Sequence, residues 1–482
     1  MTELARNTLK NTIFNGLRAL IGGIGGVLFS IVLARILTPK EFGIYVLSIS
    51  ICFFIMQIDF GTCYSAIRYL AYAVGKKNKV LARSYFRFFL KLRLFIGLFQ
   101  SLLLFVLAKF LAFCIFGKPD IYIPLKILSV FLFFYFLTDF VNCCFQAFHN
   151  FRYTVIRRLV YEILKFIFAI SFAIIFFDGV FVGLTIASLV TFIVMAYFFY
   201  VKYNFLFRKP IIYINKRKIL RFMCLVSVGS FSNVVFSYID VMIVGAILPI
   251  YYLGYYKAAA NIVFGIVGLT NIARVLLPIF TQLEGNALKE AFKKIFKYSL
   301  ILSFPFSVSL AYYSPQIIEV VYGVRYLPAS KLLRVMSLIV VFSSLNFFGV
   351  LFGAKEKPEY SSIISIVLAL ISVILNYVLI LKYQVLGAAI AVTISKLIDL
   401  IMRCVIAMRV FNINIDFDAV YKPSISAFLM YLFYYLVPHL NSVIFEAVKL
   451  VSGFFVYFIL LLVVGGIYMD DIYYLKKLIS GR

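Results

Sequence analysis

Two arginines raise the first chemical question. Arg18 and Arg274 stand inside long apolar runs, with no Asp or Glu within four positions of either. A charged side chain at such depth costs about 2.5–3.5 kcal/mol on insertion scales, so it calls for water or an anion. The guanidinium is a planar fork of donors, and a phosphate or carboxylate accepts two of its hydrogen bonds at once. Arg35, further along the first run, is a third candidate ligand for the same anion.

A second set is built of oxygen. Asp240, Asn376 and Thr393 lie on three different apolar runs, and at 1.5 Å per residue all three sit roughly 8–12 Å below the same surface. Oxygen ligands at one depth suit Na⁺; the plainer reading is an Asp240 capped by polar neighbours. Asp59, followed by Phe60 and Gly61, can pair with an arginine or brace another helix. Gly22, Gly23, Gly25 and Gly26 follow Arg18 directly. A nucleotide fingerprint needs a strand before its glycines, and here an apolar helix surrounds them. Close helix packing is the expectation for Gly22 and Gly25, and a bend in the first helix is the sharper one.

No catalytic constellation accompanies these residues. His149 and His439 are isolated, and the seven cysteines lie in apolar runs with neither CxxC nor zinc-ligand spacing, as small core hydrophobes do. No cofactor and no enzymatic activity are expected.

The elements that carry these residues follow from composition. Of 482 residues 64% are hydrophobic and 14% charged, against about 45–50% and 25% in a soluble chain. An all-α polytopic membrane protein is the class this composition specifies. Apolar runs between charge clusters give about fourteen transmembrane helices, among them 13–37, 42–66, 156–177, 360–381 and 385–410. Arg6 and Lys10 precede a first run too long for a signal peptide, so no cleaved leader is expected. Thirty of the 47 Lys and Arg, including Arg87, Lys91 and Arg93, fall on connections of one side, and five (Lys40, Lys118, Lys257, Arg325 and Lys382) on the other. The positive-inside rule then places both termini in the cytoplasm and the protein in the cell membrane. The net charge of +28 is topology and headgroup attraction, with no nucleic acid needed.

Charges within the runs fall partly into local sets. Arg158, Glu162 and Lys165 share one helical face, as do Lys396, Asp399 and Arg403, so ion pairing along the helix is expected. Lys449 lies near enough to a run's end to snorkel.

The second half echoes the first. Ile36-Leu37, Phe42-Gly43 and Tyr45 recur as Ile247-Leu248, Leu253-Gly254 and Tyr256 at an offset of 211, and Gly183 with Ile186-Ala187 recurs as Gly387 with Ile390-Ala391 at 204. The expected organisation is an N-lobe of six helices (1–201), a basic cytoplasmic linker (202–221), a C-lobe of six helices (222–410) and two further helices with the C-terminus (411–482). Parallel repeats of this kind are related by a pseudo-two-fold axis.

The runs "ARILTPKEFGIYVLSIS" and "DFGTCYSAIRYL", then "YIDVMIVGAIL", "LGYYKAAANIV", "VLLPIF", "YGVRYLPASKLLRVMSL" and "ILKYQVLGAAIAVTISKLI", resemble in order the polysaccharide biosynthesis (Wzx-like) flippases of the multidrug/oligosaccharidyl-lipid/polysaccharide exporter superfamily. The resemblance implies two six-helix bundles around a cavity and alternating access. It also implies translocation of a lipid-linked oligosaccharide on an isoprenoid pyrophosphate to the outer leaflet. Related lipid II flippases use cavity arginines in their first and eighth helices, which matches Arg18 and Arg274. Their sodium site adds a second acid where this chain has Ile380, so Na⁺ or H⁺ coupling is left open. The resemblance leaves room for a glycan polymerase or glycosyltransferases as partners. A drug or cation exporter of the same superfamily is the rival; it would favour acidic and aromatic groups at depth, whereas Arg18 and Arg274 are cations.

Overall fold

The computed structural model describes residues 3–208, 214–270, 276, 280–281, 283–413, 417–438 and 442–466. Among these residues the chain is entirely helical, without strands. Nine of the described helices are long and apolar enough to cross a membrane by length and composition, so this is a multi-pass membrane protein. Residue contacts divide it into two compact units, Met1–Ala258 and Ala259–Arg482.

The first unit begins with α1 (Glu3–Ile36), and the junction to α2 (Pro39–Met56) is dictated locally. Pro39 takes the first helical position, where its missing N–H costs nothing. Thr38 and Glu41 form a capping box: the Glu41 N–H donates to Thr38 Oγ1 at 3.3 Å, and the Thr38 N–H donates to Glu41 Oε2 at 2.8 Å. The motif Thr-Pro-Lys-Glu-Phe-Gly is thus a helix start.

One expectation is corrected at the next step. The run 42–66 reads as a single span, but α2 ends at Met56 and α3 (Thr62–Gly75) begins afresh. Between them Phe60 and Gly61 turn left-handed, at φ 50° and 65°. Asp59 supplies the reason. Its carboxylate accepts from the Thr62 hydroxyl and, at 3.4 Å, from the Cys63 N–H, so it starts a new helix rather than continuing the old one. The carbonyls released by the break need donors at a depth where water is scarce. Gln100, fully buried on α4 (Lys79–Phe110), donates through Nε2 to Met56 O at 3.4 Å and Ile58 O at 2.8 Å.

The unit continues through α5 (Tyr122–Ala147), α6 (Phe151–Lys165), α7 (Ser171–Ile175) and α8 (Gly179–Tyr203) to α9 (Lys216–Ile247) and α10 (Ile250–Thr270). The run expected at 156–177 is α6, a π-helical stretch Phe166–Ile170 and α7. α9 packs on α2 and α3 within this unit.

In the second unit the helix Gly285–Tyr312 packs against Asp418–Leu436, which in turn packs on Val443–Val463. The continuous assignment Pro358–Phe411 bends at Gln384 (φ 52°, ψ −135°), where the expected runs 360–381 and 385–410 meet. Lys449 does not snorkel. Its side chain is 2% exposed, and Nζ donates to Val437 O at 2.7 Å and Tyr312 Oη at 3.1 Å. It caps the C-terminal end of Asp418–Leu436, because Val437 is the residue that ends that helix.

Candidate functional site

Arg18 is half-buried on α1, and Gly22 and Gly25 follow it on the same face, one and two turns on. Against this face lies α6. A β-carbon on Gly22 would stand 2.5 Å from Nε and Nη2 of Arg158, and one on Gly25 2.8 Å from Oε2 of Glu162. Gly23 and Gly26 meet nothing within 4 Å. The four glycines therefore serve two different needs, and only Gly22 and Gly25 admit a neighbour.

What they admit is an ion cluster. Arg158 Nη2 donates to Gly22 O at 3.0 Å and pairs with Glu162 Oε1 at 2.8 Å; Lys165 Nζ pairs with Glu162 Oε2. Glu162 and Lys165 are buried, while the Arg158 side chain keeps 25% of its surface open. Lys165 also lies 4.6 Å from the Phe29 ring of α1, so the cation is held from both helices. The expected pairing along α6 is present, and its second half, the seat on α1, is what the spacing did not reveal.

A second cluster surrounds the broken helix. Arg93, counted above among the cations of a connection, is instead inside α4 and 1% exposed. Its Nη2 lies 3.4 Å from Asp59 Oδ1 and 3.8 Å from Asp139 Oδ2, and its guanidinium sits 4.1 Å from the Phe136 ring. Helical register hides this: Arg93 ends a basic stretch starting at Lys76, yet α4 has already run for fourteen residues at that point. Beside it Cys63 of α3 and Cys143 of α5 form a disulfide, with Cα atoms 5.9 Å apart. This corrects the reading of all seven cysteines as core hydrophobes. The two sulphurs lie with the Asp139 carboxylate inside a 4.8 Å group, but a disulfide offers no thiolate to a metal. No sequence signal pairs cysteines 80 residues apart.

The remaining candidates are placed as follows. Arg35 is exposed in the last turn of α1, about 25 Å from Arg18 along the helix, so one phosphate does not bridge the two. Arg274 lies outside the described residues. Asp240 accepts a hydrogen bond at Oδ2 from the Tyr256 hydroxyl, while its Oδ1 is buried without a hydrogen-bond partner. In the second unit Asn376 is fully buried; Nδ2 donates to Ser372 O at 2.8 Å and Oδ1 has no hydrogen-bond partner. Thr393 donates to Ala389 O at 2.7 Å. Arg403 pairs with Asp399 at 2.6 Å, as the spacing predicts, and donates to Ser361 Oγ at 3.0 Å.

Comparison with known proteins adds the context. The chain is 30% identical over 125 residues to an uncharacterised membrane protein of Methanocaldococcus jannaschii, covering 25% of each chain. It is 20% identical over 222 residues to a Haloferax volcanii protein named "Probable low-salt glycan biosynthesis flippase", covering 45% of this chain and 47% of that one. The matched segments thus span from a quarter to about half the length of these relatives. In fold the chain is similar to a lipid II flippase in an inward closed conformation, with TM-score 0.76 at 17% identity over 98% of this chain and 100% of that chain. It is also similar to an inward-facing multidrug resistance transporter of the MATE family and MOP superfamily, with TM-score 0.65 at 14% identity over 80% and 94%. A family model described as polysaccharide biosynthesis protein matches residues 32–331, more than half of the chain, and the protein belongs to that family.

Proposed function

We propose that the protein is a flippase that carries a lipid-linked oligosaccharide, borne on an isoprenoid pyrophosphate, from the inner to the outer leaflet by alternating access. The observation that carries this reading is the surplus of cations at the α1–α6 contact. Arg158 and Lys165 share the one carboxylate of Glu162. An anionic headgroup leaving water needs such groups to replace its hydration.

The proposed architecture has fourteen transmembrane helices: two six-helix lobes, 1–201 and 222–410, related by a pseudo-two-fold, joined by the linker 202–221 and followed by two helices within 411–482. Both termini face the cytoplasm, by the charge of the connections. Outward movement of a doubly charged headgroup is then downhill by about 2.3 kcal/mol per charge per 100 mV. Arg18 and Arg274 contact the headgroup. Na⁺ or H⁺ coupling is the further element, with Asp240, Asn376 and Thr393 as the candidate oxygen ligands that the sequence offers. Export of organic cations is the second reading, favoured by the fold shared with multidrug transporters. Against it, Asp59 and Asp139 are held by Arg93 and are not free to bind a cationic drug.

The test is reconstitution in liposomes with the source cell's own lipid-linked oligosaccharide. Appearance in the outer leaflet is compared for wild type, Arg18→Ala and Arg274→Ala at matched protein levels. Transport by wild type and loss in both variants supports the reading. Transport that survives both substitutions keeps the flippase and removes these two residues from its site. Folded wild type that moves no lipid-linked glycan but exports a cationic dye establishes the second reading.

A further inference from the structure

We propose that Arg158, seated on Gly22, is a phosphate ligand of the transport site, and that the α1–α6 contact is a built pyrophosphate cradle. This rests on the flippase reading and adds a residue that neither the family match nor the spacing of Arg18 and Arg274 supplies. Three observations converge on Arg158.

The first is charge. Glu162 has two carboxylate oxygens; Arg158 takes Oε1 and Lys165 takes Oε2. One carboxylate between two cations leaves a formal surplus of one positive charge at a site where Glu162 and Lys165 are buried. A surplus at low dielectric is expensive unless an anion completes it.

The second is access. Of the three groups, Lys165 and Glu162 show 8% and 7% of their side chains and Arg158 shows 25%. The ion pair to Lys165 is closed, and Arg158 is the cation through which a ligand meets the surplus. Its Nε is buried against Gly22 and its Nη2 faces Gly22 O and Glu162, so Nη1 is the nitrogen left to meet a ligand.

The third is preorganisation. Arg158 Nη2 donates to Gly22 O and lies 2.8 Å from Glu162 Oε1 as an ion pair, so the plane of the guanidinium is fixed before any ligand arrives. The position of Gly22 makes this possible, because a β-carbon there would stand 2.5 Å from Nε and Nη2. A guanidinium held in one orientation aims the two N–H groups of Nη1 at one place, and a charged phosphoryl oxygen is the acceptor that also offsets the surplus.

The test measures binding, so it stands apart from transport. Purified protein in nanodiscs is titrated with farnesyl pyrophosphate, farnesyl monophosphate, farnesol and inorganic pyrophosphate. The proteins are wild type, Arg158→Gln, Arg158→Lys, Gly22→Ala and Glu162→Gln, with folding checked by gel filtration and helical content. Arg158→Gln and Gly22→Ala are expected to weaken farnesyl pyrophosphate roughly tenfold or more, and Arg158→Lys by less, since a lysine keeps the charge but loses the fork. Glu162→Gln removes the competing carboxylate and is expected to tighten the pyrophosphate. A purely structural ion pair predicts lost stability in that variant and no gain in affinity. Equal competition by inorganic pyrophosphate would show that the cradle reads a free phosphate group; strong preference for the farnesyl ester would show a lipid headgroup. Wild-type binding unchanged in folded Arg158→Gln and Gly22→Ala overturns this proposal and spares the flippase. Folded wild type that binds no phosphorylated lipid overturns both.

Discussion

Gly43 and Gly254 make the same contact in reverse. Gly43 of α2 lies directly on the carbonyl of Ile250, and Gly254 of α10 lies directly on the carbonyl of Pro39. The offset of 211 that relates the two glycines also relates Pro39 to Ile250. The repeated junction thus packs against its own copy, first turn to first turn, and neither glycine has room for a β-carbon.

Gly43→Ala and Gly254→Ala should therefore each push the two helix starts apart. Overpacking of this kind costs about 1–3 kcal/mol. Because both substitutions open one interface, the double variant should lose less than the total of the singles. Thermal unfolding in detergent checks this. Additive losses would show that the two glycines act at separate places.

Arg93 should be far less tolerant than the surface lysines. Arg93→Leu leaves Asp59 and Asp139 without their cation beside the break in the helix. Removing one partner of a buried pair costs about 3–5 kcal/mol. Asp139 is 37% open and screened, which puts the expected loss near the lower end of that range. Adding Asp59→Asn and Asp139→Asn to Arg93→Leu should recover much of it. Undiminished stability of Arg93→Leu alone would show that the pairs hold nothing together.

The disulfide gives a prediction that needs no substrate. Alkylation before and after reduction, followed by peptide mapping, should find Cys63 and Cys143 blocked together and Cys52, Cys114, Cys144, Cys224 and Cys404 free. Closing a loop of 80 residues is worth up to about 4.5 kcal/mol by chain entropy. Cys63→Ser and Cys143→Ser should each lower the thermal midpoint, and by the same amount, since either breaks the one bond. Five free thiols plus a reducible pair supports the assignment; seven thiols alkylated without reductant rejects it.

What was legible in the sequence divides by range. The α2 start is set within one turn by Thr38, Pro39 and Glu41, three residues before the apolar run 42–66 begins. The Arg158–Glu162 and Asp399–Arg403 pairs were open to reading, each being four residues apart on one helix. Contacts between helices were not. Nothing in the spacing says that Arg158 will meet Gly22, or that Cys63 will meet Cys143, because those meetings are set by how whole helices lie side by side. A partial signal existed: Gly22 and Gly25 recur about one turn apart, as the charges of α6 do, and a charged helix face inside a bilayer needs a partner that lets backbone approach. Hydropathy misled at α2–α3, since Phe60 and Cys63 keep the run apolar across a break that Asp59 and Gly61 impose.

Gln100 is where that break is made tolerable, and it yields the sharpest test of it. Its Nε2 serves Met56 O and Ile58 O, the carbonyls left open when α2 stops, and its side chain is fully buried. Gln100→Leu keeps the volume and removes the donor. A buried carbonyl without a partner costs about 1–3 kcal/mol, so the variant should unfold at lower temperature and exchange the amides of 57–63 faster than wild type. Gln100→Glu separates donor from size: a carboxylate cannot donate to a carbonyl, and it adds a charge beside Asp59. It should be worse than Leu near neutral pH and recover as the solution is acidified, because the protonated acid regains one donor. A Leu variant with unchanged exchange across 57–63 would show that the break holds without Gln100, leaving Asp59 and Gly61 to carry it alone.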